Sequence, residues 1–244
     1  MLVSSTAFAG IYGTTTVTTV ETLGLTVQVE ISGGHQSSLF AGLRTLTAQS
    51  SSLIGLPADA YFQGDGTYLA FCTDLYDATI NGLVYDIEPL DKTPDPPASA
   101  VGGMGPVKAG LVAGLLSNNS YTTQLDAAAM QVAIWEIIDE ENASVLPWSS
   151  TSHENNTLWD ASTGDFFLTS GVGNNDTVIT AANLMLGSLV SSDFSRYTAL
   201  SFGNDGNPFK WGQGQDFVVV PVPASLLICM LGVGIAGIKL RKFA

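Results

Sequence analysis

The feature that most constrains the fold is a Thr- and Val-rich stretch at residues 14–32, which reads TTTVTTVETLGLTVQVEIS. Within it, residues 25–31 alternate between apolar and polar side chains. A period of two combined with β-branched residues is typical of a half-buried strand and disfavours a helix. We therefore predict one or two strands here, closed by a turn at Gly33-Gly34.

The rest of the chain indicates further strands with a few helices between them. Shorter runs of apolar and β-branched residues predict strands, at 38–47, 71–75, 83–87, 198–202 and 216–220. Helical periodicity or flanking Gly and Asn residues predict helices, at 107–116, 125–140 and 178–191.

The helix at 125–140 is the clearest of these elements. It has an apolar stripe through Met130 and Ile134, while Gln131 and Trp135 lie on a second face. The fold class that we predict is mainly β with inserted helices, arranged as a sandwich- or barrel-like domain and followed by a short C-terminal transmembrane helix.

Charged residues are scarce and mostly acidic. The chain of 244 residues has 22 acidic and 8 basic residues, a formal net charge of −14. Nucleic-acid binding needs clustered Lys and Arg to displace counterions from phosphates, so this composition excludes nucleic acid as a partner. At 45% apolar residues, the chain is too hydrophobic for general disorder and can bury a core.

The end of the chain indicates a membrane-targeting tail. All 22 acidic residues precede Phe217, whereas three of the 8 basic residues lie in the last six positions. Between these regions, residues 226–238 read LLICMLGVGIAGI and carry no charge. As a helix this run is about 20 Å long, which is shorter than the roughly 30 Å of bilayer hydrocarbon. Flanking residues and a snorkelling Lys239 lengthen it, and we predict a transmembrane segment at 224–240. A buried core helix is the alternative.

The start of the chain has part of the pattern of an export signal. Residues 2–10 read LVSSTAFAG, in which Ala7-Phe8-Ala9 has the small-x-small pattern of a signal-peptidase site. We expect residues 1–9 to be the remnant of a longer signal peptide, and an ordinary N-terminus is the alternative.

The tail has a three-part layout. Prolines and small residues precede the apolar run and a basic cluster follows it, at Pro221, Pro223, Ala224, Ser225, Lys239, Arg241 and Lys242. This layout resembles a PEP-CTERM sorting signal, although Val222 stands where that family usually has Glu. The resemblance implies a sorting tail at 221–244 and an exported Gram-negative protein. Its membrane-anchored precursor would be processed by an exosortase-type enzyme and reach the cell surface or extracellular matrix.

The cysteine count bears on the body of the protein. One of the two cysteines, Cys229, lies in the tail, so the body has a single cysteine, Cys72, and no internal disulfide. Cys72 follows an apolar and aromatic run that predicts a buried strand. A lone thiol in an oxidising compartment is either buried as a core residue or used chemically.

Three segments of the body form one pattern. They are an aromatic-Cys strand at Phe71-Cys72, a helix block MQVAIW at 130–135, and a late strand whose Gln follows a loop, at 214–219. Together they resemble the motifs of bacterial Cys-Gln thioester domains of the adhesin type. The resemblance covers most of residues 14–220 and implies a thioester domain at 10–220.

In such domains the bond joins the Cys to the Gln of the late strand, which implies Cys72 and Gln215 here. Gln213 and Gln131 are the alternatives to Gln215. The resemblance also implies supporting roles for Phe71, Gln131 and Trp135.

The implied chemistry is nucleophilic acyl transfer. The Cys thiolate attacks the Gln carboxamide and ammonia leaves, and an amine, typically from a Lys of a partner, later opens the thioester. Because each molecule reacts once, we expect no enzymatic turnover. Asp216 stands where the family has an apolar residue, and an acid there raises the thiol pKa unless it points away.

Other function classes have weaker support. His35 and His153 are isolated and the chain has no Gly-rich phosphate loop, so we expect no metal and no cofactor. The main alternative is a non-reactive β-rich surface or matrix module, in which Cys72 is a core residue. A glycan-active enzyme is a third class, although no carboxylate pair stands out.

Overall fold

The computed structural model describes residues 12–31, 35–74, 81–93, 103–139, 160–163, 166–202 and 215–221. These residues form seven strands: β1 (Gly13–Ile31), β2 (His35–Leu53), β3 (Gly66–Cys72), β4 (Leu83–Pro89), β5 (Phe166–Leu168), β6 (Thr198–Ser201) and β7 (Phe217–Val220). They also form three α-helices: α1 (Gly105–Asn118), α2 (Gln124–Asp139) and α3 (Asn175–Gly187). A short 3-10 helix follows β4 at Leu90–Lys92. The prediction of a mainly β fold with inserted helices is confirmed.

The strands form one antiparallel sheet that closes on itself. Its order is β2-β3-β7-β6-β4-β1-β5, and β1 also pairs with β2 along almost its whole length. Six strands therefore make a ring, and β5 is added beside β1. With 19 residues, β1 is long enough to pair with β4 through residues 13–17 and with β5 through residues 29–31.

Two glycines allow the backbones of β1 and β2 to approach closely. Gly24 and Gly42 are paired near a register shift, and a Cβ at Gly24 would lie 2.2 Å from the Ala41 carbonyl oxygen. Only glycine fits at such a close approach. Near these glycines the pairing between β2 and β3 ends. Its last pair is Arg44 and Ala70, so the part of β2 that precedes Arg44 is not paired with β3.

Helix α2 is buried on all sides after its first turn. Every residue at 127–138 is buried, and the helix packs against α1, α3 and the two long strands. The face with Gln131 and Trp135 is therefore as inaccessible as the apolar stripe. At its start, the Thr123 hydroxyl accepts a hydrogen bond from the Asp126 N–H at 3.1 Å and caps the first turn.

Several boundaries differ from the sequence-based expectation. β2 continues to Leu53 because β1 pairs with it to that point, and β3 spans Gly66–Cys72 rather than 71–75. α3 spans Asn175–Gly187 rather than 178–191, and β5 is an unpredicted strand.

Among the residues described, no helix has both the length and the apolar character needed to cross a membrane. The predicted transmembrane segment at 224–240 and the predicted signal remnant at 1–9 lie outside the described residues.

Candidate functional site

Cys72 is the last residue of β3, and its side chain is fully buried. It lies directly opposite Phe217 of β7. The pairing continues one residue further, since the Thr73 N–H donates to the Asp216 carbonyl at 2.9 Å. Opposed residues of an antiparallel pair share a face and side chains alternate along a strand, so Gln215 falls on the same face as Cys72.

Gln215 is therefore a diagonal neighbour of Cys72 across β3 and β7. The backbone positions of such neighbours are about 7–8 Å apart across the two strands, a distance that a long side chain can span. Gln215 is only 7% exposed, and its Nε2 donates a hydrogen bond to the Asp74 carbonyl at 3.0 Å. Its carboxamide is thus held beside the end of β3.

Gln131 of α2 holds the backbone of Cys72 through both ends of its carboxamide. The Cys72 N–H donates to Gln131 Oε1 at 2.9 Å, and Gln131 Nε2 donates to the Cys72 carbonyl at 2.7 Å. Backbone N–H and carbonyl groups alternate in direction along a strand, and those of Thr73 face β7, so those of Cys72 face the opposite side. On that side β2 pairs with β3 only as far as Ala70. The Gln131 side chain replaces the missing strand and satisfies two buried polar groups.

Arg44 contacts the sulfur directly, although it was not among the site residues predicted from the sequence. Its Nε–H donates to Cys72 Sγ at 3.2 Å from a buried side chain. The guanidinium also lies 3.6 Å from Glu21 Oε1 and 5.3 Å from the centroid of the Phe40 ring. No local motif marks Arg44; the signal is its pairing with Ala70, two residues before Cys72.

Burial raises the pKa of the Cys72 thiol to about 12, from an ordinary value of 9.0. The charge and the hydrogen bond of Arg44 lower this pKa, while the charges of Asp74 and Glu21 raise it. At pH 7 the thiol is therefore protonated. A thiolate at this position depends on a neighbour that stabilises its charge.

Asp216 points away from the sulfur. Its carboxylate Oδ1 accepts a hydrogen bond from the Phe202 N–H at 2.7 Å. Strand alternation puts this side chain on the face opposite to that of Cys72. Its charge is accordingly not among those that shift the pKa of the thiol.

Phe71 lies on the other face of β3 from Cys72, in the core. Its ring packs edge-on against Tyr121, with ring centroids 5.5 Å apart. The Tyr121 hydroxyl donates to the Pro221 carbonyl at 2.7 Å. The contact between Phe71 and Tyr121 therefore links the end of β7 to the core on the face of β3 opposite to Cys72.

Trp135 lies about one turn after Gln131 on α2. It is buried, and its ring packs edge-on against Phe166 with centroids 6.0 Å apart. The remaining predicted site residues lie outside the described residues: Gln213, Pro223, Ala224, Ser225, Lys239, Arg241 and Lys242.

Within the described part of the chain, no group of three or more His, Cys, Asp and Glu side chains is placed to hold a metal ion. Comparison with protein-family models, curated proteins and solved structures gave no match to this chain.

Proposed function

We propose that the protein is an exported surface protein whose body forms an internal thioester between Cys72 and Gln215 and uses it to capture amine-bearing partners. The observation that carries this proposal is the β3–β7 register, which makes Gln215 a diagonal neighbour of Cys72 on one face. Gln131 already uses both ends of its carboxamide on the Cys72 backbone, which favours a supporting role for it.

Bond formation joins Cys72 Sγ to Gln215 Cδ. The thiol loses its proton, the sulfur attacks the carboxamide carbon, and the C–N bond breaks as the nitrogen takes up that proton and leaves as ammonia. A primary amine later attacks the same carbon, the C–S bond breaks, and the sulfur regains a proton. The products are an amide between Gln215 and the partner and a free Cys72 thiol, so the reaction occurs once.

The surroundings favour the survival of such a bond. Thioesters hydrolyse where water reaches them, and water exclusion protects reactive intermediates. Cys72 has no exposed surface, and Gln215 is nearly as buried.

Delivery to the surface is supported by the sequence of the tail. We propose that residues 221–244 direct a membrane-anchored precursor to an exosortase-type enzyme, after which the protein remains on the cell surface or in the extracellular matrix. Its partner is then an amine-bearing Lys of another protein or surface ligand.

One observation favours a passive surface or matrix module as the second candidate. The thiol is fully buried and has a pKa of about 12, which are also properties of a core cysteine. In that case Gln215 is a polar residue that satisfies the Asp74 carbonyl.

The intact mass of the purified full chain separates these two candidates. The thioester predicts a deficit of one ammonia, which disappears in Cys72→Ala and in Gln215→Ala. The control is Gln124→Ala, because Gln124 is an exposed residue of α2, and this variant should keep the deficit. The full mass together with a Cys72 that is alkylated after unfolding would leave only the passive module.

A further inference from the structure

We propose that Arg44 is a catalytic residue of this site, whose guanidinium holds the negative charge of the Cys72 sulfur when an amine displaces it from Gln215. The half-exposed carboxylate of Glu21 lies 3.6 Å from the guanidinium. This role rests on the proposed thioester and adds the group that stabilises the departing sulfur.

Strand register puts these groups on one face of the sheet. Arg44 pairs with Ala70, two residues before Cys72, so Arg44 is a diagonal neighbour of the sulfur from β2. Glu21 of β1 lies opposite Arg44. A row of four side chains therefore crosses the adjacent strands β1, β2, β3 and β7. It consists of Glu21, Arg44, Cys72 and Gln215, with Cys72 between Arg44 and Gln215.

The contacts of Arg44 favour a charged sulfur. A guanidinium has five N–H donors and does not lose its charge. Arg44 is 8% exposed, yet its described polar partners are one Glu21 oxygen at 3.6 Å and Cys72 Sγ at 3.2 Å. A neutral thiol is a weak acceptor for a buried cation, whereas charge-assisted bonds are about twice as strong. The contact therefore stabilises the thiolate more than the thiol.

The other charges around the sulfur act in the opposite direction. In the described part of the chain, the charged groups that act on Cys72 are Arg44 from β2, Glu21 from β1 and Asp74 after β3. Burial disfavours the thiolate most, and both carboxylates disfavour it further. Among these groups, Arg44 is the one that favours the thiolate.

The departure of the sulfur is the step at which this matters. Once the amine nitrogen has bonded to Gln215 Cδ, the C–S bond breaks and its electron pair goes to Cys72 Sγ. The Arg44 Nε–H, already directed at that atom, stabilises the charge. The sulfur then takes up the proton that the nitrogen gives up, directly or through water.

Rates of thioester opening by methylamine in the full chain test this role. Arg44→Met removes the charge and the donor, and we expect opening to slow by about 10- to 100-fold at fixed pH, as for a lost hydrogen bond to a charged group. Arg44→Lys keeps the charge without the Nε donor and should recover part of the rate.

Arg196→Met is the control for the loss of an arginine elsewhere in the fold, although the Arg196 side chain is half exposed and that of Arg44 is buried. Arg196 also has an ion pair, 3.4 Å from Asp59, and a ring contact, 4.7 Å from the Tyr61 centroid. It belongs to a different part of the fold, and its variant should open at the wild-type rate. If circular dichroism shows that Arg44→Met does not fold, Arg44→Lys is measured instead, with Arg196→Lys as its control. A wild-type rate of opening in Arg44→Lys would then overturn the proposal.

A second readout does not depend on the thioester. In Gln215→Ala the bond cannot form, and the rate of Cys72 alkylation by iodoacetamide is the product of the access of the reagent to the buried sulfur and the thiolate fraction. Adding Arg44→Met should slow alkylation by about 10-fold or more across the pH range below the thiol pKa. A merely structural Arg44 would instead loosen the site and speed alkylation, and faster or equal rates overturn the proposal. A wild-type chain with its full mass overturns the thioester itself, whatever the alkylation rates.

Discussion

At the scale of single residues, Gln131 is a side chain that completes a sheet. Its carboxamide pairs with the Cys72 N–H and carbonyl where β2 has left β3. Truncation leaves both buried groups without this partner, at about 1–3 kcal/mol each. We expect Gln131→Ala to lower the free energy of unfolding by about 2–6 kcal/mol in urea denaturation.

The control for this measurement is Gln124→Ala, which truncates an exposed Gln on the same helix. It should change the free energy of unfolding by no more than about 0.5 kcal/mol. A loss that small in Gln131→Ala would contradict the bracing role of Gln131.

Glu88 of β4 gives the protein a pH-dependent stability in the mildly acidic range. Burial is the main reason why its pKa is raised from 4.5 to about 7; the charges of Asp86 and Asp91 also raise this pKa, and the charge of Lys92 lowers it. Because the folded-state pKa lies above the unfolded one, protonated Glu88 stabilises the fold at pH 4.5 and below. This contribution is lost as the pH rises through about 7.

Urea denaturation of wild type and Glu88→Gln across this window tests the effect. The wild type should lose stability relative to Glu88→Gln as the pH rises from 4.5 to above 7. Asp65 and Asp160 have pKa values below their ordinary 3.8, so their titration lies outside the window. Parallel pH profiles of the two proteins would mean that Glu88 titrates normally.

At the scale of elements, α1 depends on close contact with the segment at 190–192. The Ser192 N–H donates to the Gly110 carbonyl at 2.9 Å, and a Cβ at Gly114 would lie 1.6 Å from the Val190 carbonyl oxygen. Alanine favours a helix over glycine by about 1 kcal/mol, but this clash with backbone outweighs that gain. We expect Gly114→Ala to destabilise the protein by about 1–3 kcal/mol and to lower its Tm.

Gly187→Ala is the matched control, since a Cβ at that helical glycine meets nothing within 4 Å. This variant should leave the Tm unchanged or raise it, by up to about 1 kcal/mol of stability. An equal rise of Tm in Gly114→Ala would contradict the close packing of α1.

Elements with a local period could be predicted from the sequence, whereas elements made by pairing could not. The alternation at 25–31 and the apolar helix at 125–140 contain their own signal, and β1 and α2 are found there. β5 spans only Phe166–Leu168, which is too short for a period to be read. It forms because the end of β1 offers an edge beyond β4.

The same division holds within the candidate site. Cys72 and Gln131 stand out by residue type and motif, but Arg44 is one polar residue in a strand and is easily taken as solvent-facing. Only the pairing of β2 with β3 brings it to the sulfur. Register between distant strands is a tertiary property that no short window of sequence contains.

At the scale of the whole molecule, a net charge of −14 affects which partners approach. Long-range attraction raises the association rate of cationic partners, and salt screens it. We expect capture of a Lys-rich peptide to slow by several-fold when ionic strength rises about ten-fold, while a peptide with one Lys and no net charge is little affected. Capture rates from mass spectrometry check this, and equal salt dependence for both peptides would contradict it.

The central claim is that Cys72 and Gln215 are the two ends of one bond. Peptide mass mapping of the full chain after treatment with methylamine tests this claim most directly. The thioester predicts a methylamide at Gln215 and a newly alkylatable thiol at Cys72. An unmodified Gln215, or a methylamide at Gln131 instead, would contradict it.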